Sequence, residues 1–292
     1  LLNRLADTVK AQNPRYALVA RWAIEPDVAC NWGDKLNPFL IGRLSSSRVL
    51  HESQVFSRYV PAVYWVIGSA LGRVRVRNSV IWGAGFLFDH ELMSIPPKAV
   101  LAVRGHLSAA KLKKQGLIER DVAVGDPALL MPLFYQPVML PAAEIGIIPH
   151  FRERDLPLVQ DLRREQRFKV IDVCSGLQEF CDEICSCRQI LSSSLHGLVA
   201  AHAYGIPARW LRFSDRPKGD GFKYHDYLST VCRPETAAKA ETVADVFKMA
   251  GRSTDIVKLP DLSVLLDACP FITPDLLAEL KSNIARVYHN RC

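Results

Sequence analysis

The chain predicts an α/β protein of two doubly wound, Rossmann-like domains facing each other across a cleft. Three observations lead there. Short apolar runs alternate with segments of helical spacing through both halves of the 292 residues. Several runs are continuously apolar and end in glycine or serine turns, as parallel strands covered on both faces do. A stretch with Pro132, Pro137 and Pro141, residues 129–144, breaks the alternation and reads as an interdomain linker. The expected domains are 1–135 and 136–292, with the terminal helix of the second free to cross back.

Residues 16–22 read as the first strand, followed by a polar turn over 30–38. Leu36, Phe39, Leu40 and Leu44 then form a helical stripe. Ligands of open α/β sheets bind at strand C-terminal ends, which places Asn31, Gly33 and Asp34 at a crevice. An ordinary Asn-Gly-Asp turn that caps a helix is the other reading. The runs 63–67 and 79–82 end in Gly68-Ser69-Ala70 and Gly83-Ala84-Gly85. Neither has the dinucleotide spacing, so no nicotinamide cofactor is expected. Residues 99–103 form the next strand, leading into Arg104-Gly105-His106 and a helix over 107–115 with Gly116 as its C-cap. Arginine at such a turn can grip a carboxylate or phosphate with two N–H groups; a structural salt bridge is the alternative. A short strand and turn over 122–127 close the first half.

The second half repeats the pattern. A strand over 145–148 ends at Pro149-His150-Phe151-Arg152, a strand covers 168–173, and a helix covers 177–187. The stretch 189–207 then organises the rest. It reads as a buried strand, three serines, and a helix that opens on Leu195-His196-Gly197 and stops at Gly205 and Pro207. The serine hydroxyls are expected to cap that helix, and its first N–H groups to attract an anion. A serine-capped core helix with a buried histidine is the competing reading. A strand over 208–213, a polar loop over 214–221 and a short helix over 222–227 follow. Residues 274–288 form the terminal helix, with Thr273 as N-cap and Pro274 in its first position.

The formal net charge of +7 favours acidic partners such as phosphorylated substrates or anionic lipid headgroups. Arg73-Arg75-Arg77 and Arg163-Arg164-Arg167 have no nucleic-acid motif beside them; they read as solvated faces, and no nucleic-acid partner is expected. No apolar run reaches the ~18 residues of a membrane span, so the protein is expected to be soluble or peripheral. Of the eight cysteines none forms a Cys-x-x-Cys pair. Cys181, Cys185 and Cys187, with Cys174 nearby, read as small core residues of a reducing compartment, and no metal site is expected.

Four motifs occur in order: Asn31-Trp32-Gly33-Asp34, Arg104-Gly105, Gly125-Asp126-Pro127, and Ser192-Ser193-Ser194-Leu195-His196-Gly197 before Gly205-Ile206-Pro207. Ile148-Pro149-His150 and Phe222-Lys223-Tyr224-His225-Asp226-Tyr227 accompany them. The ordered set resembles the polysaccharide pyruvyl transferase family, and within it the branch of exopolysaccharide ketal pyruvyl transferases. The resemblance implies a glycosyltransferase-B-like fold, phosphoenolpyruvate as donor substrate with no cofactor, and a sugar acceptor, often on a lipid-linked oligosaccharide. Such an enzyme is expected in the cytoplasm, peripherally at the inner face of the membrane. Members often carry arginine two residues before the motif histidine; here Ser194 stands there, with Lys223, His150 or Arg152 as candidate replacements.

On this reading Arg104 and Lys223 hold the donor's phosphate or carboxylate. Ser193, Ser194 and Gly197 at the helix start, with Asn31, Gly33, His150 and Arg152, complete the binding set. Histidine titrates near neutrality, so His196 is the candidate general acid, or the ligand of departing phosphate. Asp34 is the candidate base for the acceptor hydroxyl. A nucleotide-sugar glycosyltransferase of the same fold and a non-catalytic anion- or sugar-binding module are the alternatives.

Overall fold

A computed structural model describes residues 2–25, 29–138, 142–231, 235–250 and 256–288. The apolar runs form two sheets in which every strand pair is parallel. The first sheet holds β1 (Ala17–Arg21), β2 (Arg48–His51), β3 (Val63–Trp65), β4 (Ser79–Trp82), β5 (Ala99–Val103) and β6 (Ala123–Val124), in the order β2-β1-β3-β4-β5-β6. The second holds β7 (Ala143–Ile148), β8 (Phe168–Val170), β9 (Cys187–Ser192), β10 (Ala208–Arg212) and β11 (Ala238–Lys239), in the order β11-β10-β9-β7-β8. In each sheet the first strand is flanked by the second on one side and the third on the other. Right-handed crossovers then send helices to opposite faces, and a crevice opens where the order reverses, between β1 and β3 and between β7 and β9.

Ten helices cover the sheets: α1 (Leu2–Lys10), α2 (Trp32–Ser45), α3 (His106–Lys114), α4 (Pro157–Arg164), α5 (Leu177–Cys185), α6 (Leu195–Ala203), α7 (Phe222–Leu228), α8 (Val243–Ala250), α9 (Leu262–Asp267) and α10 (Pro274–Tyr288), counted among the described residues. Side chains alternate along the strands between two interiors. Leu18 and Ala20 face a core shared by both halves, with Ile148, Ile190 and α6, while Ala17 and Val19 face an outer core of the first half. Ile145, Ile147 and Leu191 face the outer core of the second.

Three expectations are corrected. The stretch 30–38 is a turn only at its start, because α2 begins at Trp32. Trp32 is fully buried, its ring 5.4 Å from Phe180 and its Nε1 donating to the Leu177 carbonyl, and this burial draws the helix start back to Asn31 as N-cap. The proline stretch does join the sheets, yet its first part, Pro127–Leu133, is a 3₁₀ helix whose Ala128, Leu129, Leu130 and Met131 are fully buried against α6. Apolar content, not proline, decides its place; residues 139–141 lie outside the described set. Among the described residues the cysteines divide: Cys181, Cys185, Cys187 and Cys269 are buried thiols, whereas Cys30 and Cys174 form a disulfide between the halves. A hydrogen bond from the Trp32 N–H to the Val173 carbonyl, 2.9 Å, brings the two loops together.

Smaller differences lie at element ends. The helix expected over 177–187 stops at Cys185 because Cys187 already pairs with Ala143 in the second sheet. The C-terminal helices return to the first half: Trp82 Nε1 donates to the Leu265 carbonyl, and Tyr288 Oη to that of Leu129. Among the described residues no helix is long and apolar enough to cross a membrane.

Candidate active site

The crevices of the two sheets face each other and enclose one cleft of about 400 Å³. The first half contributes Arg21 at the end of β1 with Trp22 and Ala23 after it, Asn31 and Asp34 from the start of α2, and Ile67, Gly68 and Ser69 after β3. The second contributes His150, Phe151 and Arg152 after β7, Ser194, Leu195 and His196 after β9, and Lys218 and Lys223 near α7. Both walls are therefore strand C-terminal ends and helix N-termini, where backbone N–H groups and the helix dipole favour anions.

At the first wall Asn31 joins two groups. Its Nδ2 donates to Asp34 Oδ2 at 3.3 Å, and its Oδ1 lies 3.3 Å from His196 Nδ1. That carbonyl oxygen can only accept, so Nδ1 carries the imidazole proton and Nε2 keeps its lone pair. Nε2 is buried and has no hydrogen-bond partner among the described residues. Gly33 permits the approach, since a Cβ there would fall inside the imidazole. Asp34 also accepts from the Ala23 N–H at 3.0 Å. Burial, outweighing these two bonds, raises its pKa to about 6, inside the range useful to a general base.

At the second wall the serines do something other than cap. Ser192 Oγ bonds the carbonyls of Ile148 and Ser194 and accepts from the Ser194 N–H. Ser193 Oγ accepts from the His150 N–H and donates to buried Glu153 at 2.5 Å. Ser194, the N-cap of α6, makes no side-chain cap bond. The serines brace the turn and leave the first-turn N–H groups of α6 unclaimed by a cap. Ser194 lines the cleft; Ser193 lies beneath it, and Gly197 packs on Ser192 and Ile148 rather than on the cleft.

Arg104 is elsewhere. It is fully buried, with Nη2 2.8 Å from Asp226, Nε donating to Asp226, Nη1 to Ser69 Oγ and Nη2 to the Phe86 carbonyl. Asp226 is equally buried and accepts from the Ser108 N–H and Oγ, both at 2.7 Å. The salt-bridge reading therefore describes Arg104, and the donor-gripping reading is corrected: each guanidinium nitrogen already has an acceptor. Its bond to Ser69 still orients a residue that lines the cleft. Gly85 and Gly105 make room for this bridge, since a Cβ on either would strike Arg104 or Asp226.

Charge in the cleft is mostly positive: Arg21, Arg73, Arg152, Lys218 and Lys223 against Glu25 and Asp34. Burial, helped by Lys223 and Arg104, pushes His196 down to about 3. Burial, helped by Lys223 and Arg152, pushes His150 far down as well. The Arg152 N–H donates to His150 Nδ1, which agrees with a neutral ring. Burial and the Arg104 charge lower Lys223 to about 8. At neutral pH both imidazoles are thus uncharged and the lysine carries its proton.

The structure brings Asn31, Gly33, Asp34, His150, Arg152, Ser194, His196 and Lys223 together, leaves Arg104 and Gly197 behind the surface, and turns Ser193 to a neighbouring cavity that it lines with Glu153 and Tyr224. It adds Arg21, Trp22, Ser69, Arg73 and Lys218, which sequence reasoning passed over. Arg21 ends the first strand, a position that could have flagged it. Arg73 belongs to a cluster read as a solvated face, and its place at the cleft depends on the 3₁₀ turn Leu71–Arg73.

A sequence profile described as polysaccharide pyruvyl transferase matches residues 56–215, more than half of the chain. The chain is also similar to an uncharacterized protein, L143, of Acanthamoeba polyphaga mimivirus, 29% identical over 205 residues, which are 68% of this chain and 70% of that protein.

Proposed function

The chain belongs to the polysaccharide pyruvyl transferase family, and on that footing we propose that it moves pyruvate from phosphoenolpyruvate to a sugar of a polysaccharide or lipid-linked oligosaccharide, forming a ketal and releasing phosphate. One observation carries this reading: two helix N-termini without side-chain caps, α2 and α6, converge with five cationic side chains on a cleft lined by His196, whose Nε2 has no hydrogen-bond partner among the described residues. A small donor with a carboxylate and a phosphate needs that combination of N–H groups and cations more than it needs apolar walls.

In the proposed arrangement the α6 N–H groups, Arg152 and Lys223 hold the donor. The acceptor lies on the first wall beside Trp22, where Asp34 takes a hydroxyl proton. His196 is neutral with Nδ1–H on Asn31, so Nε2 offers a lone pair that accepts a hydrogen bond from a protonated oxygen of the departing phosphate. A glycosyltransferase-B-like classification of the fold belongs to this proposal. So does a cytoplasmic location at the inner face of a membrane, which the +7 net charge favours.

The test is phosphate release from phosphoenolpyruvate with a panel of lipid-linked and model glycosides. One phosphate per ketal formed supports the reading. Thermal stabilisation by nucleotide sugars and none by phosphoenolpyruvate would move the protein to the glycosyltransferases. Binding of phosphoenolpyruvate and acceptor without phosphate release would make it a binding module.

A further inference from the structure

We propose that the ammonium group of Lys223 is the acid that protonates the methylene carbon of the enol donor; the inference rests on phosphoenolpyruvate being that donor. The residue sits between three anchors on α7. Phe222 enters the outer core of the first half. Tyr224 donates through Oη to the Ser193 carbonyl at 2.7 Å and stacks on Trp210 with ring centroids 4.3 Å apart. Asp226 is fixed by Arg104. With its neighbours held, Lys223 has its stem buried, 8% of the residue exposed, and its side chain on the cleft wall. The ammonium lies 5.1 Å from the Tyr224 ring centroid and has no hydrogen-bond acceptor among the described residues. The ammonium belongs to the cleft wall, where the carboxylate or phosphate of an anionic ligand would supply an acceptor.

The surrounding groups narrow the choice of acid. His196 and His150 face Lys223 as neutral rings. Arg152 and Arg104 do not release protons. Asp34 opposite is a carboxylate above pH about 6, and Glu153 is engaged with Ser193 and Ser214. Lys223 alone among these is protonated at neutral pH and close enough to neutrality, at about 8, to give the proton up.

The step balances. A Lys223 N–H bond breaks and its proton joins the methylene carbon, using the electron pair of the C=C bond. The acceptor hydroxyl oxygen bonds the electron-poor central carbon and its proton passes to Asp34. The bond from that carbon to the phosphate oxygen breaks, phosphate leaves with the electron pair, and it takes the Asp34 proton. The second hydroxyl closes the ketal, and its proton restores the Lys223 ammonium.

Lys223→Arg keeps the charge and removes the acid. The expected result, in the full chain with phosphoenolpyruvate and a working acceptor, is kcat lower by about 10²-fold or more with the donor KM within about fivefold. The alkaline limb of kcat/KM near pH 8 should vanish with it. Added primary amine should restore part of the turnover of Lys223→Ala, and circular dichroism shows whether each variant is folded. A Lys223→Arg protein that keeps kcat within a few fold, or keeps the limb, overturns the assignment. If the wild-type chain releases no phosphate from phosphoenolpyruvate, the donor reading itself has failed, and that result is separate from any variant.

Discussion

Gly33 and His196 touch across the two halves, the imidazole lying where the Cβ of any larger residue at position 33 would be. This contact holds the ring against Asn31 and aims Nε2 away from its one acceptor, so the placement of a candidate catalytic group depends on an absent side chain.

Gly33→Ala should therefore displace His196. A shift of about 1 Å costs up to about 10²-fold in turnover. Overpacking should cost about 1–3 kcal/mol of stability. Phosphate release and thermal melting measure the two effects. Wild-type values for both would mean that the ring is not confined as described.

The Arg104–Asp226 bridge makes a contrasting prediction. Asp226→Ala leaves a buried guanidinium without its charge partner and should cost about 3–5 kcal/mol. Arg104→Met combined with Asp226→Leu should recover much of this stability, because the pair's worth is offset by the cost of burying it. Chemical denaturation reads both. Full stability of Asp226→Ala alone would contradict the bridge.

Acid should weaken the fold through His196. Its folded pKa, about 3, lies below the unfolded value, so the unfolded chain binds more protons between those values and stability falls as pH drops through about 6.5 toward 3. Asp34 acts in the opposite sense, because its folded pKa of about 6 lies above the unfolded value and its burial is costly above that pH. His196→Gln should flatten the acid side of a melting-temperature profile, and Asp34→Asn should raise stability near pH 7. An unchanged acid slope in His196→Gln would show that the ring is solvated.

The Cys30–Cys174 disulfide closes a span of 144 residues. Reduction should lower stability by roughly 2–5 kcal/mol. Dithiothreitol should lower the melting temperature of the wild type and leave Cys30→Ser unmoved. Equal responses in the two proteins would rule the crosslink out as a source of stability.

Much of the frame was legible because parallel strands leave a strong trace. Residues 79–82 and 99–103 are apolar end to end, and the structure places strands over both. Edge strands β2 and β11, of four and two residues, left too little pattern to see. Around the cleft, Asn31, Asp34 and His196 were legible because they stand beside strand ends and helix starts. Arg104 shows where such reasoning stops. Its place at a strand-to-helix turn is the same whether it faces a ligand or a carboxylate, and Asp226, 122 positions away, decides between them. The serine run is similar: its hydroxyls were assigned as acceptors for the helix beside them, but Ser193 donates to Glu153 and Ser192 to the Ile148 carbonyl of β7.

The buried segment Pro127–Leu133 and the returning helices α9 and α10 tie both sheets into a single interior. Such a molecule is laced rather than hinged. Cutting it near residue 135 would strip the cover from Leu129, Leu130 and Met131 and yield sticky fragments instead of two working lobes. On the proposed function, an acceptor sugar would meet a cleft whose two walls are backed by that common interior.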